Sequence, residues 1–550
     1  MNYTLALTRH AYETLSAHLL NDRSHEQMAV TLCGVNRLHH EVRLLVRDVI
    51  LLPPDAFNRQ SSAALEVKPE VQALIHRRAA EHSLIQVDWH SHPGDHAAVH
   101  FSAVDDHYEA AQAAYLAHRM DGVPYGSVVV NARSLDARLW LTRITRKTET
   151  QHNEISYHPD AMPLATVFIG DLQRRTPVTA QHNHRAPAPY ISPIFDRQVR
   201  AFGQGFQRQL GALRVGVVGV GAIGSAMVEY LARLGVREWV LVDPDVVEIS
   251  NLNRLVNAST TDAQKQRPKV NVARSTIRQC APRAYVRALH SDVFDPEAQH
   301  ALKSCDLLIA ATDNHSSRMA LNRLAVQYLI PLVHLGFNIN AAVEPTTQEH
   351  VITDVSGEFA IPDLGRWCLQ CAGIVDPQQA GWELASPAQR AVLRQRGYVA
   401  DTPAPAVHHL DGLIAALATT EIHNMVHTFK PRQRYLVYDA LKPELVPLQV
   451  TPNATCPVCS PDYGVLGLGD LEPLPDYRRS AKVQLPPSTL PELPLAEQKK
   501  EPLALPAEAD KVQAVMPLPN GFPLPQAQHF PDPQARARRL HVAMAESPVD

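Results

Sequence analysis

Residues 214–224 read Arg-Val-Gly-Val-Val-Gly-Val-Gly-Ala-Ile-Gly, and this stretch decides the fold of the larger part of the chain. The apolar run Val215–Val218 leads into Gly219, Gly221 and Gly224, and a helical pattern follows. Small residues at such a turn let the backbone approach a phosphate, and a helix N-terminus adds N–H donors and positive potential. The next strand-like run ends in Asp243, where a carboxylate accepts from ribose hydroxyls. A dehydrogenase needs nothing special beyond that point. This chain instead supplies Asn251, Arg254 and Lys269, then Asp313 after a later apolar run. Two cations and a carboxylate suit a triphosphate with Mg²⁺, so the expected nucleotide is ATP and not NAD.

At 550 residues the chain is long enough for about three or four domains. It is 45% hydrophobic, with a net charge of −4 and no basic block, which points away from nucleic acid and anionic membranes. The N-terminal MNYTLALTRHAYETL lacks the basic-then-apolar pattern of a secretory leader, and the longest apolar run, Val215–Val228, is short and broken by glycines. A cytoplasmic protein is expected. Four of the seven cysteines form two Cys-x-x-Cys pairs, Cys368/Cys371 and Cys456/Cys459. Together they make a complete tetrahedral zinc ligand set; the alternative is a redox pair or reduced core thiols.

Helical spacing over 8–20 and 102–117, with apolar runs at 28–33, 42–52, 84–89, 126–131 and 137–142, predicts an α/β domain over residues 1–148. Residues 149–189, rich in His, Pro, Asn and Gln, read as a linker. Over 190–468, β-branched runs alternate with helical patterns, which predicts a Rossmann-like, doubly wound sheet. Fifteen of the 43 prolines fall from Pro473 onward, so residues 469–550 read as a disordered, Pro-rich tail.

Several segments of the second domain act together as a signature. They are Phe195-Asp-Arg197-Gln, the glycine loop, Asp243-Pro-Asp245, Asn251-Leu-Asn253-Arg254, Pro268-Lys269-Val, Thr312-Asp313-Asn314, Tyr438-Asp-Ala440 and the two cysteine pairs. In combination they resemble the ThiF/MoeB-type activating-enzyme family over about residues 190–465. The resemblance implies that ATP adenylates the C-terminal glycine carboxylate of a ubiquitin-like or sulfur-carrier protein and releases pyrophosphate. It implies that Gly219, Gly221, Gly224 and Asn251 line the nucleotide and that Asp243 holds its ribose. Arg254 and Lys269 would hold phosphates, Asp313 the Mg²⁺, and the four cysteines a structural Zn²⁺. Arg197 would reach the phosphates from the partner in a homodimer. The chain departs from the pattern at Leu255, where the family often has Gln, and over Thr260–Gln266 before Lys269. The cysteines that follow Asp313 are the four of the two pairs. With no further thiol to carry a thioester, the chain is expected to stop at the acyl adenylate and pass it to an external nucleophile.

A second constellation lies in the first domain. Val87-Asp-Trp-His90-Ser-His92-Pro93 places two imidazoles two residues apart, on one side of a strand, and Ser102-Ala-Val-Asp105 follows. Two His and one carboxylate leave a fourth position on Zn²⁺ for water. Ser102-x-x-Asp105 also reads as a helix N-cap box. The pattern resembles the JAMM (JAB/MPN) metalloprotease family over about residues 1–145. That resemblance implies His90, His92 and Asp105 as zinc ligands, Glu26 as general acid/base, with Glu41 as a fallback, and Ser102 as an oxyanion stabiliser.

The two resemblances imply one substrate class. The leading expectation is adenylation of a ubiquitin-like C-terminus joined to (iso)peptidase processing or deconjugation of the same kind of protein, with a separate conjugating enzyme or sulfurtransferase as a further partner. Sulfur-carrier activation for thiocarboxylate formation is the alternative. A non-catalytic scaffold and an NAD-dependent oxidoreductase stand behind both.

Overall fold

Near-continuous apolar runs in the first third of the chain become strands buried on both faces, because helices cover both sides of their sheet. The computed structural model describes residues 1–477 except 63, 94–97, 150–151, 184–190, 345 and 396–404; the proline-rich tail from residue 478 lies outside the described residues. The strands of the first domain are β1 (Asn2–Leu7), β2 (Met28–Arg37), β3 (Glu41–Leu51), a small hairpin of β4 (Phe57–Gln60) and β5 (Leu65–Val67), β6 (Ile85–Ser91) and β7 (Tyr125–Val130). They continue with β8 (Leu135–Glu149), β9 (His152–Pro163), β10 (Thr166–Ile169) and β11 (Gln173–Arg175). Among the described residues, the main sheet has the order β11-β10-β1-β3-β2-β6-β7-β8-β9. Helix α1 (Arg9–Leu19) packs Leu15 and Leu19 against Val87, Trp89 and Val128 on one face. On the other face lie α2 (Pro69–Glu81) and α3 (Ala103–Arg119), the latter packing Ala113 and Leu116 on Tyr125 and Trp140.

The linker expected over 149–189 is instead largely sheet. β9 pairs along β8, and β10 pairs in parallel with β1 at the other edge. Its polar composition misled because edge strands face water on one side, so their pattern lacks a sustained apolar run. β1 and α2 also went unread.

The second domain carries β12 (Arg214–Val218), β13 (Glu238–Val242), β14 (Tyr285–Leu289), β15 (Leu307–Ala310), β16 (Leu332–Val343), β17 (His350–Ala360), β18 (Tyr435–Asp439) and β19 (Glu444–Pro447). Their order is β14-β13-β12-β15-β16-β17-β18-β19. The first five are parallel, as the alternating pattern predicts, and the last three run antiparallel. Helices Ala222–Leu234, Lys269–Cys280 and His408–Val426 cover one face through Met227, Leu231, Ile277, Ile414 and Ala418.

The two domains are not beads on a string. Residues 461–471 leave the second cysteine pair and lie along the β2–β3 hairpin of the first domain, and residues 473–477 continue beside Phe294. Arg47 donates to the carbonyls of Pro461, Gly464 and Leu466, the last at 2.8 Å. Asp470 receives Lys303 Nζ at 2.7 Å, the Tyr328 hydroxyl at 2.9 Å and the Arg37 amide at 2.7 Å. Gly34 is required here: a Cβ on it would meet the Gly467 carbonyl at 2.1 Å. The first nine residues of the tail expected from residue 469 are instead ordered, because Gly469–Tyr477 is a packed strap. Leu466, Val465 and Tyr477 join the core that also holds Ala6 and Leu45 of the first domain.

Asp470→Ala removes an acceptor shared by three donors, two of them on side chains that are at most partly exposed. We expect a loss of about 2 kcal/mol in urea unfolding, together with faster proteolysis between the domains.

Candidate active sites

In the second domain the chemistry gathers at the C-terminal ends of the parallel strands, where helix N-termini converge. Gly219 has φ +81°, and a Cβ on it would lie 2.5 Å from the Ala311 carbonyl after β15. Its amide donates to Val242 O of β13 at 3.0 Å. Gly224 passes so close to Gly219 that a Cβ would sit 1.9 Å from its carbonyl oxygen. Gly221 is the N-cap of helix Ala222–Leu234, and a Cβ there would meet nothing within 4 Å. Two glycines thus fold the turn, and the third leaves an open cradle at a helix N-terminus, the shape an anionic phosphate needs.

Asp243 is buried at the end of β13 and accepts from the amides of Val220 and Asp245, each at 2.8 Å. Burial pushes its carboxyl up, opposed by those amides and by Lys269. Lys269, the first residue of its helix, holds Asp245 at 2.8 Å. Asn251 closes a short turn by accepting from the Glu248 amide at 3.1 Å. Arg254 folds onto the Ser250 carbonyl at 2.5 Å and the Asn253 side chain at 3.0 Å. Asp313 is exposed beyond β15. The departure at Thr260–Gln266 forms a short helix capped by Ser259 and Asp262, and Leu255 is buried beneath it with Val247, Ala263 and Val272. Arg197 lies on the exposed side of helix Asp196–Gly211, and among the described residues no ion pair or hydrogen bond is found that joins its side chain to the loop.

Sequence reasoning missed two charged groups beside this loop. Arg318 is half-buried, donates to the Thr312 carbonyl at 3.1 Å and faces Asp313 and Glu358. Asp411 is buried on the first turn of helix His408–Val426, and its Oδ2 has no hydrogen-bond partner among the described residues. Burial pushes its carboxyl up to about 6, against the pull of Arg254. Nothing around Asp411 in sequence marks it; only the fold brings it to Arg254.

The four cysteines meet across 84 intervening residues. Sγ atoms lie 3.9 Å apart for Cys368/Cys371, 3.8 Å for Cys368/Cys456 and 3.6 Å for Cys371/Cys459. Four soft sulfurs at mutual tetrahedral-edge distances fit Zn²⁺ and leave no open position.

In the first domain His90 ends a buried strand, and the His92 amide continues its ladder to the Val130 carbonyl at 3.0 Å. The nitrogen and oxygen atoms of His90, His92 and Asp105 all lie within 4.8 Å of one another. Asp105 reaches His90 Nε2 at 3.5 Å and His92 Nε2 at 3.4 Å. Among the described residues His90 Nε2 is buried without a hydrogen-bond partner, which suits a metal-ligand atom. Ser102 and Asp105 also form the reciprocal helix cap, Ser102 N to Asp105 Oδ2 at 2.6 Å and Asp105 N to Ser102 Oγ at 3.2 Å. Glu26 is buried before β2, and burial pushes its carboxyl up against the opposing pull of His90 and His92. Glu41 sits at the other end of β3, bound to Thr4 at 2.6 Å and Arg43 at 2.9 Å, away from these histidines.

Arg138 on β8 is the residue the motif did not reveal. It donates to buried Glu109 at 2.8 Å and to Asp106 at 2.5 Å, and its guanidinium lies 3.7 Å over the Phe101 ring. It therefore staples the segment that carries Ser102 and Asp105 onto the sheet.

Comparison with known proteins agrees with this division. The description "ThiF family" matches residues 195–458, and "Prokaryotic homologs of the JAB domain" matches residues 8–142. The molybdopterin-synthase adenylyltransferase of Haemophilus influenzae is 31% identical over 177 residues, covering 31% of this chain and 70% of that protein. The chain belongs to the ThiF family. The Escherichia coli molybdopterin-synthase adenylyltransferase is 28% identical over 48% of this chain and 95% of its own length. The SAMP-activating enzyme E1 of Haloferax volcanii is 36% identical over 26% of this chain, and the chain spans about half of that relative, 52%. This ThiF-family chain thus joins an N-terminal JAB domain to its ThiF domain.

Two zinc ions per chain are expected by elemental analysis, one lost in His90→Ala and the other in Cys371→Ser. Arg138→Met should weaken metal binding at the histidine site by about tenfold, the usual cost of removing an outer partner of a ligand, while the cysteine site keeps its metal. Gly224→Ala should abolish ATP binding in a nucleotide-displacement assay.

Proposed function

We propose that this protein uses ATP to adenylate the C-terminal carboxylate of a ubiquitin-like or sulfur-carrier protein, and that its JAB domain hydrolyses a peptide or isopeptide bond in the same class of protein. One observation supports the first half: the open cradle at Gly221 adjoins Asp243, which accepts from the Val220 amide and feels the charge of Lys269. In this reading Asp243, already fixed by two amides, accepts from the ribose. The helix N-terminus at Ala222 and the Lys269 ammonium, released from Asp245, take phosphate oxygens. In the same reading Asp313 would hold Mg²⁺, which when bound would neutralise phosphate charge. The Arg318 guanidinium beside Asp313 adds positive charge to that side of the site. Arg197 would act only across a homodimer, so its contribution is tied to assembly.

In the JAB domain, His90, His92 and Asp105 would hold Zn²⁺, which when bound lowers the pKa of water and polarises a carbonyl. Glu26, buried and raised by desolvation, is suited to take and return a proton at its carboxylate. The Ser102 hydroxyl stands at the mouth of the helix cap, where it can donate to a developing oxyanion. Among the described residues no helix is long and apolar enough to cross a membrane.

The four clustered cysteines leave no later thiol for a thioester, which supports release of the adenylate to an external nucleophile. The likeness to the sulfur carrier protein ThiS adenylyltransferase of Bacillus subtilis, 29% identical over 32% of this chain and 52% of that protein, gives the sulfur-carrier reading equal standing with conjugation.

The test is carrier-dependent ATP–pyrophosphate exchange. Asp313→Ala should lower exchange at least a hundredfold, as expected for a residue that stabilises developing phosphate charge, while His90→Ala should leave it within twofold. Exchange that survives Asp313→Ala would remove the Mg²⁺ assignment.

A further inference from the structure

Between the two domains lies a cavity of about 280 Å³ lined chiefly by arginines. It sits at the sheet end opposite the glycine loop. β17 runs antiparallel to β16, and its last residue, Ala360, pairs with His334 near the start of β16. Asp363 and Arg366 therefore follow β17 at the N-terminal ends of the parallel strands. Arg432 and Arg434 precede β18 at the same end, and Arg9 enters from the first turn of α1 in the JAB domain.

The charges in this cavity do not balance. Asp171, with a side chain 7% exposed, accepts Arg9 Nε at 3.0 Å, Arg434 Nη2 at 2.7 Å and Arg434 Nη1 at 3.1 Å. Arg432 pairs with the same carboxylate. One carboxylate thus faces three guanidiniums. Asp363 is shared between Arg434 at 3.2 Å and Arg366 at 4.0 Å. Glu13 lies 3.7 Å from Arg9 but is 62% exposed, so water screens it. Arg9 Nη2 is buried with no hydrogen-bond partner among the described residues. Burial pushes the Arg432 guanidinium down, and Arg9 and Arg434 add to it against Asp171. Crowded cations with an unused donor favour one more anion.

We propose that this cavity binds a small phosphate-type oxyanion, held between the JAB and ThiF domains by Arg9, Arg366, Arg432 and Arg434. The planar guanidinium fork matches a tetrahedral oxyanion bidentately. Because both domains supply donors, occupancy stabilises the joined state over the separated one.

The experiment is calorimetric titration of the full chain with pyrophosphate, at constant ionic strength, in a Lys269→Ala background that weakens the nucleotide site. Inorganic phosphate and sulfate serve as second probes. Saturable binding should persist in that background and weaken at least about tenfold on adding Arg366→Ala, the loss expected of one charge-assisted hydrogen bond. Arg366 is 56% exposed and its described ion pair is long, so its removal spares the fold. Arg432→Gln gives a second, less exposed probe. A purely structural clamp predicts either no saturable binding in the Lys269→Ala protein, or binding indifferent to both arginine changes. Either result overturns the proposal.

Discussion

The approach of Gly224 to the Gly219 carbonyl is the constraint on which the ThiF domain depends. It turns the chain from β12 into its helix within a few residues. The same turn anchors β12 to β13 through the Gly219 amide and to the β15 end at Ala311. Any side chain at Gly224 would push the helix off the sheet. Once the turn is closed, Asp243 is fixed by the Val220 amide, and the open face at Gly221 is left as the place where a charged group can be bound by backbone alone.

A second constraint joins the domains. Asp470 in the strap gathers the Lys303 ammonium, the Tyr328 hydroxyl and the Arg37 amide, and Asp171 beyond β10 gathers three guanidiniums, one carboxylate at either side of the junction. Both are side chains largely withdrawn from water, where a charge-assisted hydrogen bond contributes more than at the surface. The Cys₄ cluster lies immediately before the strap, so folding of the ThiF domain also sets where the JAB domain is held. On this account the hydrolytic and adenylating candidate sites belong to one body, and a carrier released from one meets the other at a fixed geometry.

Motifs whose chemistry needs a local spacing were legible. His90 and His92 two apart on a strand, the glycine turn and each cysteine pair are written in consecutive residues, and the fold brings them where that spacing implies. What was not legible depends on long-range pairing. The segment 152–175 looked like a linker because β9 to β11 sit towards the edges of the sheet and lack a sustained apolar run. Asp411 and Arg318 are ordinary charged residues on helices until burial sets them beside Arg254 and Asp313. Arg138 carries no motif, yet it ties Phe101, Asp106 and Glu109 together under the histidine site.

The most direct measurement of the central claim is intact-mass analysis of a ubiquitin-like or sulfur-carrier protein ending in glycine, after incubation with ATP, Mg²⁺ and the full chain. The account predicts a carrier heavier by one AMP, with pyrophosphate released in equal amount and no carrier attached to the enzyme. A carrier held on one of the enzyme's cysteines and freed by thiol, or no ATP-dependent change at all, would contradict it.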